Sequence, residues 1–126
     1  MIFLYLPIKW QVKFEQDSIM ASISDIVKAE RAKLGLNQSE FGLLVDLIMT
    51  DVSKVENGKK KFPFDKLQKL SEVLKMNYSE LKNIYVAEKL AEEAIRYECN
   101  DNVFQLAEKH SNYLRMKNSN QGKFEL

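Results

Sequence analysis

Apolar residues recur every three or four positions from Ser22 onwards, which is the spacing of amphipathic helices. Glycine and proline are sparse in this region, and no alternating pattern typical of a strand competes with the helical spacing. The pattern therefore predicts five short helices joined by short connections. These helices are expected at residues 22–34, 38–45, 49–57, 64–74 and 77–84.

Sequence signals at helix ends support the first two of these helices. Ser22 is followed three positions later by Asp25, and Asn37 is followed by Glu40, so each pair can form a capping box. Gly35 lies where the first helix should end, because glycine readily adopts the left-handed conformation that ends many helices. Together these signals predict an all-α, five-helix domain over residues 22–84.

Beyond residue 84 the predicted helices become longer. Amphipathic stretches over residues 86–99 and 103–116 are separated by Asn100-Asp101-Asn102, which supplies turn and capping chemistry. A helical pair outside a complete core has to bury its apolar stripe on that core or on another subunit. We therefore expect residues 85–117 to be a C-terminal helical extension through which the chain forms a homodimer. The last segment, 118–126, is expected to be a loose polar tail.

Residues 1–21 form an N-terminal extension that is strongly apolar at its start. The apolar run ends at Lys9, well before the roughly 20 residues that a membrane span needs. No basic residue precedes the run, as one would in a secretory signal. Three interpretations are open: a β-like arm, a buried partner segment, or leader translated from a mis-assigned start codon upstream of Met20. No function is assigned to this extension.

Composition narrows the classes of function. The chain has 126 residues, and its 19 basic and 18 acidic residues give a net charge of +1. Its one cysteine (Cys99) excludes a disulfide framework and a thiolate-rich zinc site, and its one histidine (His110) disfavours a catalytic triad. We therefore expect a cytoplasmic protein without enzymatic activity, metal, cofactor or small-molecule ligand. Cys99 is expected to be at least half-buried, and His110 to pack on the inner stripe of the last helix.

The most informative stretch is residues 38–58, where two predicted helices flank a tight turn. In such a unit the first helix lies across the DNA backbone, and the second enters the major groove with its N-terminus first. Gly42 allows the two helices to approach closely. The polar residues left outside on the second helix are Thr50, Asp51, Ser53 and Lys54. The ammonium groups of Lys59, Lys60 and Lys61 follow directly and can contact phosphates, a solvated turn being the alternative interpretation.

Residues 23–84 resemble the XRE/Cro/C1 helix-turn-helix domain of bacterial and phage regulators. The resemblance is in register and has no gap within the motif. Residues 35–38, G-L-N-Q, are similar to the family's G-L-S-Q, and residues 52–58, V-S-K-V-E-N-G, are similar to its I-S-R-I-E-N-G. Gly42 takes the place of the family's small alanine. The residues that follow at the family's spacing are Pro63, Leu67, Leu70 and Leu74.

This resemblance implies a lambda-repressor-like fold and a transcriptional regulator that binds double-stranded DNA, usually as a dimer on a palindromic operator. It implies that Gln38 donates to a phosphate at the start of the first motif helix. The resemblance places the base-reading side chains at Met49, Thr50, Ser53 and Lys54. Asn57 takes the position of a backbone-contacting residue, and Lys59 and Lys60 lie beside it.

Two residues depart from the family pattern. Asp46 stands in the turn where glycine is usual, and Ile48 stands where a capping Ser or Thr usually begins the recognition helix. Thr50 or Asp51 could cap a helix that starts late. Asp51 could also accept from a cytosine amino group, pair with Lys54, or repel DNA.

Two classes of function follow from these observations. The first is a dimeric repressor or autorepressor of a phage, mobile-element or restriction–modification locus. The alternative is a protein-interaction module, similar to an antitoxin or anti-repressor, on a degenerate helix-turn-helix fold; Ile48, Met49 and Asp51 favour it. A steep fall of DNA affinity with salt distinguishes the first class from the second.

Overall fold

The computed structural model describes residues 21–121, and in that range the chain is helical without any strand. Its helices are α1 (Ile23–Leu34), α2 (Gln38–Val45), α3 (Met49–Glu56), α4 (Leu67–Leu74), α5 (Tyr78–Arg96) and α6 (Asn102–Gln121). A single 3₁₀ turn, Phe64–Lys66, leads into α4. The predicted all-α fold class is therefore confirmed.

Both predicted capping boxes are present. The Ser22 hydroxyl accepts from the Asp25 amide at 3.1 Å, and the Asp25 carboxylate accepts from the Ser22 amide at 3.3 Å. Asn37 and Glu40 exchange the same two hydrogen bonds at the start of α2. Gly35 ends α1 in the left-handed conformation with φ 72°. Local chemistry thus defines the first two helices, as the sequence predicted.

The core lies between α1, α2, α3, α4 and the first half of α5. Its fully buried large side chains are Phe41, Phe62, Leu67, Leu70 and Leu81, packed with Val27, Val45, Val52 and Val55. Full burial of one such side chain stabilises the fold by about 1.5–3 kcal/mol. The Tyr85 hydroxyl donates to the Phe62 carbonyl at 2.8 Å and joins α5 to the segment before α4.

The prediction that one helix ends at residue 84 and another begins at Val86 is wrong, because α5 is continuous from Tyr78 to Arg96. No glycine or proline lies in residues 78–96, so nothing in the backbone interrupts the hydrogen bonds. The helix ends instead where Glu98 adopts the left-handed conformation and the Cys99 amide donates to the Ala94 carbonyl at 2.9 Å. Two compact units divide between Glu88 and Lys89, so α5 contributes to both.

The second unit contains the end of α5 and all of α6. Residues 118–121 belong to α6 rather than to a loose tail, and Cys99 and His110 are exposed, so the predictions for all three were wrong. A pair of helices covers only one face of each member, which leaves the other faces open. Residues 1–20 of the predicted extension 1–21, and the last residues of the tail, 122–126, lie outside the described residues. Within residues 21–121, no helix combines the length and apolar character needed to cross a membrane.

Candidate nucleic-acid interface

The turn between α2 and α3 begins at Asp46, whose backbone amide donates to the Gly42 carbonyl. Asp46 ends α2 in the left-handed conformation, with φ 61° and ψ 43°, in the turn where the family pattern has glycine. Side chains from the next elements stabilise this residue: Lys66 Nζ donates to the Asp46 carbonyl at 2.9 Å, and Lys69 Nζ lies 3.7 Å from its carboxylate. Aspartate tolerates this conformation better than most residues with a Cβ, because its short polar side chain can form local hydrogen bonds.

Gly42 makes the close approach of α2 to this turn possible. The Leu47 amide donates to the Gly42 carbonyl at 2.9 Å, and a Cβ on Gly42 would lie 2.2 Å from the Leu47 carbonyl oxygen. The neighbour is backbone, so it cannot rotate away as a side chain could. The role predicted for Gly42 is confirmed, and the position lacks the room for the alanine of the family pattern.

The third helix begins directly at Met49 without a side-chain cap. Ile48 occupies the N-cap position and forms no side-chain hydrogen bond to the helix. The Asp51 and Val52 amides already donate to the Ile48 carbonyl at 3.0 and 3.1 Å. The helix therefore does not start late, and the expectation that Thr50 or Asp51 caps it is wrong.

The exposed face of α3 presents most of the residues predicted to read bases. Val52, Val55 and Glu56 face the core, whereas Met49, Thr50 and Lys54 are exposed and Ser53 is half-buried. The exposed Asn57 ends the helix, with its Nδ2 atom 3.5 Å from the Ser53 hydroxyl. An ammonium, hydroxyl groups and an apolar thioether thus share one side of a short helix, which is the mixture that suits major-groove edges.

The helix-turn-helix family model matches residues 27–81. This part of the chain belongs to the XRE/Cro/C1-type helix-turn-helix family. These residues accordingly form the DNA-binding domain of a transcriptional regulator of that type. The chain has no match among curated proteins or solved structures.

Three helices of the helix-turn-helix domain meet at Glu56. The Glu56 carboxylate, at the end of α3, accepts from the Arg31 guanidinium of α1 and from the Gln38 amide of α2 at 3.1 Å. Arg31 also donates to the Leu36 carbonyl in the connection between α1 and α2 at 2.8 Å. The Glu56 side chain is 2% exposed, so this charge depends on these partners rather than on water.

The pKa values at this junction follow from the same contacts. Burial alone raises the pKa of Glu56, but the hydrogen bonds from Arg31 and Gln38, with the positive charges of Arg31 and Lys28, outweigh burial and lower it. The hydrogen bond to Glu56 is the main reason why the pKa of Arg31 is raised. Both groups are therefore held in their charged forms.

Gln38, predicted to donate to a phosphate, is bound to Glu56 in this structure. Its amide nitrogen has two hydrogens, and the bond to Glu56 uses one of them. That bond orients the side chain at the start of α2.

The three lysines after α3 do not form one free basic cluster. Lys60 Nζ lies 3.0 Å from the Asp51 carboxylate of α3, and Lys61 Nζ lies 3.5 Å from the Glu88 carboxylate of α5. Lys59 is exposed and forms no ion pair among residues 21–121. No ion pair joins Asp51 to Lys54 in that range, so the i, i+3 pair considered from the sequence is absent. Sequence reasoning missed the partner of Asp51 because Lys60 lies beyond the end of the helix.

Groups of acidic residues, histidine and cysteine do not assemble a metal site in the part of the chain that the structure describes.

Proposed function

We propose that the protein is a dimeric repressor that binds a palindromic operator, including one upstream of its own gene, in a phage, mobile-element or restriction–modification locus. The observation that supports this most directly is the exposed face of α3, which presents Met49 and Thr50 in the first turn and Lys54 in the last. A recognition helix enters the major groove with its N-terminus first. The domain has the polar and apolar groups that base reading needs.

Each predicted contact has a chemical role in this proposal. Lys54 donates to guanine O6 and N7, Thr50 contacts a base edge through its hydroxyl or methyl group, and Met49 covers a thymine methyl. Ser53 completes the base-reading set. The backbone-contacting set consists of Gln38, Asn57 and Lys59, and Lys60 can join it only when its ion pair with Asp51 opens. Lys59 is the clearest phosphate contact, because it is exposed and has no ion-pair partner among the described residues.

The substitutions Lys54→Ala and Lys59→Ala should separate base reading from phosphate binding. Lys54→Ala should weaken binding to the preferred duplex by about 1–3 kcal/mol and relax the preference at one base pair. Lys59→Ala should weaken binding to every duplex alike and reduce the slope of log affinity against log salt by about 0.9 per subunit. The measurement is fluorescence anisotropy over a salt series on DNA from upstream of the gene and on a scrambled duplex.

Equal losses on both duplexes for Lys54→Ala would remove this residue from the base-reading set. The same titrations of the wild-type protein test the proposed function itself. Preference for the native duplex at physiological salt supports a sequence-specific regulator, and equally weak binding to both duplexes contradicts it.

The dimer in this proposal is formed by the second unit. On α6, Leu106, His110, Tyr113 and Leu114 are exposed on one side of the helix, where Leu106, His110 and Tyr113 line a shallow cavity with Lys109. Further exposed apolar side chains in this unit are Leu90, Ile95, Tyr97, Phe104 and Met116. A palindromic operator needs two recognition helices about one turn of DNA, roughly 34 Å, apart, and a second copy that covers these residues would supply the second helix.

Leu106→Glu should weaken this dimer by about 30-fold or more, because a charge would enter the apolar centre of the interface. Gln105→Glu is the matched control, since it adds the same charge at an exposed position on another side of α6. Sedimentation equilibrium at micromolar protein measures both. A monomeric wild-type protein, or equal effects of the two substitutions, would contradict a dimer formed through this side of α6.

A protein-interaction module is the second candidate, and a specific surface favours it. Leu43 on α2 and Ile48 at the N-cap of α3 are 79% and 66% exposed, so the helix-turn-helix presents apolar side chains to solvent. DNA affinity that is weak and nearly independent of salt would favour this candidate, because phosphate contacts release counterions.

A further inference from the structure

The ion pair between Asp51 and Lys60 connects the recognition helix to the basic segment behind it. The Asp51 Oδ1 to Lys60 Nζ distance is 3.0 Å, and the two side chains are 25% and 45% exposed. Asp51 lies in the first turn of α3, which is the end that meets DNA in the proposed function. The pair therefore lies beside the surface where phosphates would be.

Stability gives little reason for this pair. Ion pairs between side chains with this degree of exposure contribute little to folding, and the helix already forms without a side-chain cap. A carboxylate at the DNA-facing end of a helix is unfavourable for binding, because phosphates repel it. The Asp51 carboxylate also acts on Lys60, and this effect is more informative than its repulsion of phosphates. The ammonium group is partly neutralised before any DNA arrives.

We propose that Asp51 is a positioning residue that limits sequence-independent DNA binding by holding Lys60 away from the phosphate backbone. This inference rests on the proposed function. The Asp51 carboxylate and a DNA phosphate compete for the same ammonium, so a phosphate contact by Lys60 requires the ion pair to break. The absence of this phosphate contact weakens non-specific binding more than specific binding, because electrostatic contacts supply essentially all of the non-specific affinity.

The size of the effect follows from counterion release. One additional phosphate contact steepens the slope of log affinity against log salt by about 0.9. At about 0.15 M salt, that slope corresponds to roughly five-fold in affinity for each bound subunit. Lys61 has its own carboxylate partner in Glu88, which leaves Lys59 as the constant phosphate contact next to Lys60.

Asp51→Asn tests the inference in the full chain. It should raise affinity for a scrambled duplex about five-fold per subunit at 0.15 M salt and steepen the salt slope by about 0.9. Glu72→Gln is the control, because it makes the same change in net charge at an exposed position on α4. It should leave the slope unchanged. Asp51→Asn with Lys60→Ala should return the slope to the wild-type value, since the new contact belongs to Lys60.

The possible outcomes separate this inference from the proposed function. An unchanged slope for Asp51→Asn, an equal change for Glu72→Gln, or a steep slope that persists without Lys60 would each overturn the inference. Sequence preference of the wild-type protein is measured in the same titrations. If that preference is present while Asp51→Asn has no effect, the inference fails and the proposed function stands; if it is absent, the proposed function fails. Thermal unfolding of each variant verifies that the compared proteins are folded.

Discussion

Arg31→Met is expected to lower the free energy of unfolding by about 3–5 kcal/mol at neutral pH. The substitution removes the guanidinium that binds Glu56 and leaves a carboxylate of 2% exposure with the Gln38 amide as its remaining hydrogen-bond donor. Breaking a buried ion pair from one side is costly in this way because the other charge stays buried without compensation. Denaturant unfolding followed by circular dichroism measures the change.

A second substitution distinguishes the lost charge from lost packing. Arg31→Met combined with Glu56→Leu should recover most of the stability, because apolar residues of similar size often replace a buried ion pair without loss. If the double variant is as unstable as Arg31→Met, the contribution of Arg31 lies in its packing and in its bond to the Leu36 carbonyl instead.

The same variant should respond to pH in a defined direction. The pKa of Glu56 is below its ordinary value of 4.5 in the folded wild type, so its stabilising charge is present above that value and is lost as pH falls through the folded pKa. Without Arg31, burial has the larger effect and the pKa of Glu56 rises. Protonation of Glu56 then removes the uncompensated buried charge and stabilises the folded variant. The difference in unfolding free energy between wild type and Arg31→Met should therefore narrow between pH 7 and pH 4. A constant difference over that range would contradict a role for the Glu56 charge.

Gly42→Ala is expected to destabilise the domain by about 2–3 kcal/mol. Alanine is favoured over glycine inside a helix by about 1 kcal/mol, but here the added Cβ would lie 2.2 Å from the Leu47 carbonyl oxygen. Overpacking usually costs about 1–3 kcal/mol and exceeds that range where the neighbour cannot move. The turn would have to open, and α3 would shift against α2. DNA affinity should therefore fall as well, even under conditions where the variant remains folded.

Ser39→Ala provides the matched control for Gly42→Ala. Ser39 is exposed on the same helix, so the change in unfolding free energy should stay within about 0.5 kcal/mol. Denaturant unfolding and anisotropy compare the two variants. Equal or greater stability of Gly42→Ala would mean that the α2–α3 turn can open at little cost.

The features that the sequence predicted correctly depend on residues close together along the chain. A capping box needs only Ser22 and Asp25, and the end of α1 at Gly35 follows from the ease with which glycine adopts the left-handed conformation. The exposed face of α3 follows from helical periodicity once Val52 and Val55 are placed in the core. Local patterns of this kind were sufficient to predict the fold class and which side of α3 is exposed.

The features that sequence reasoning missed depend on contacts between distant segments. Arg31 lies four residues after Val27 on the buried stripe of α1, and Glu56 lies four residues after Val52 on that of α3. Opposite charges on two core-facing stripes were a usable signal for the buried pair. No comparable signal identified the contact between Asp51 and Lys60, because it depends on how the chain turns after Gly58, which has φ 75°.

Glu88 has a consequence for where the DNA-binding domain can be divided from the rest of the chain. Its carboxylate accepts from the Ile23 amide at 3.1 Å and lies 3.5 Å from Lys61 Nζ, so it joins the beginning of α1 to the segment after α3. The family match ends at residue 81, before this side chain. A fragment cut at the end of the match would leave one of the first amides of α1 without its acceptor and Lys61 without this counter-charge. The smallest transferable DNA-binding unit therefore extends through residue 88, and a fusion partner should be joined beyond it.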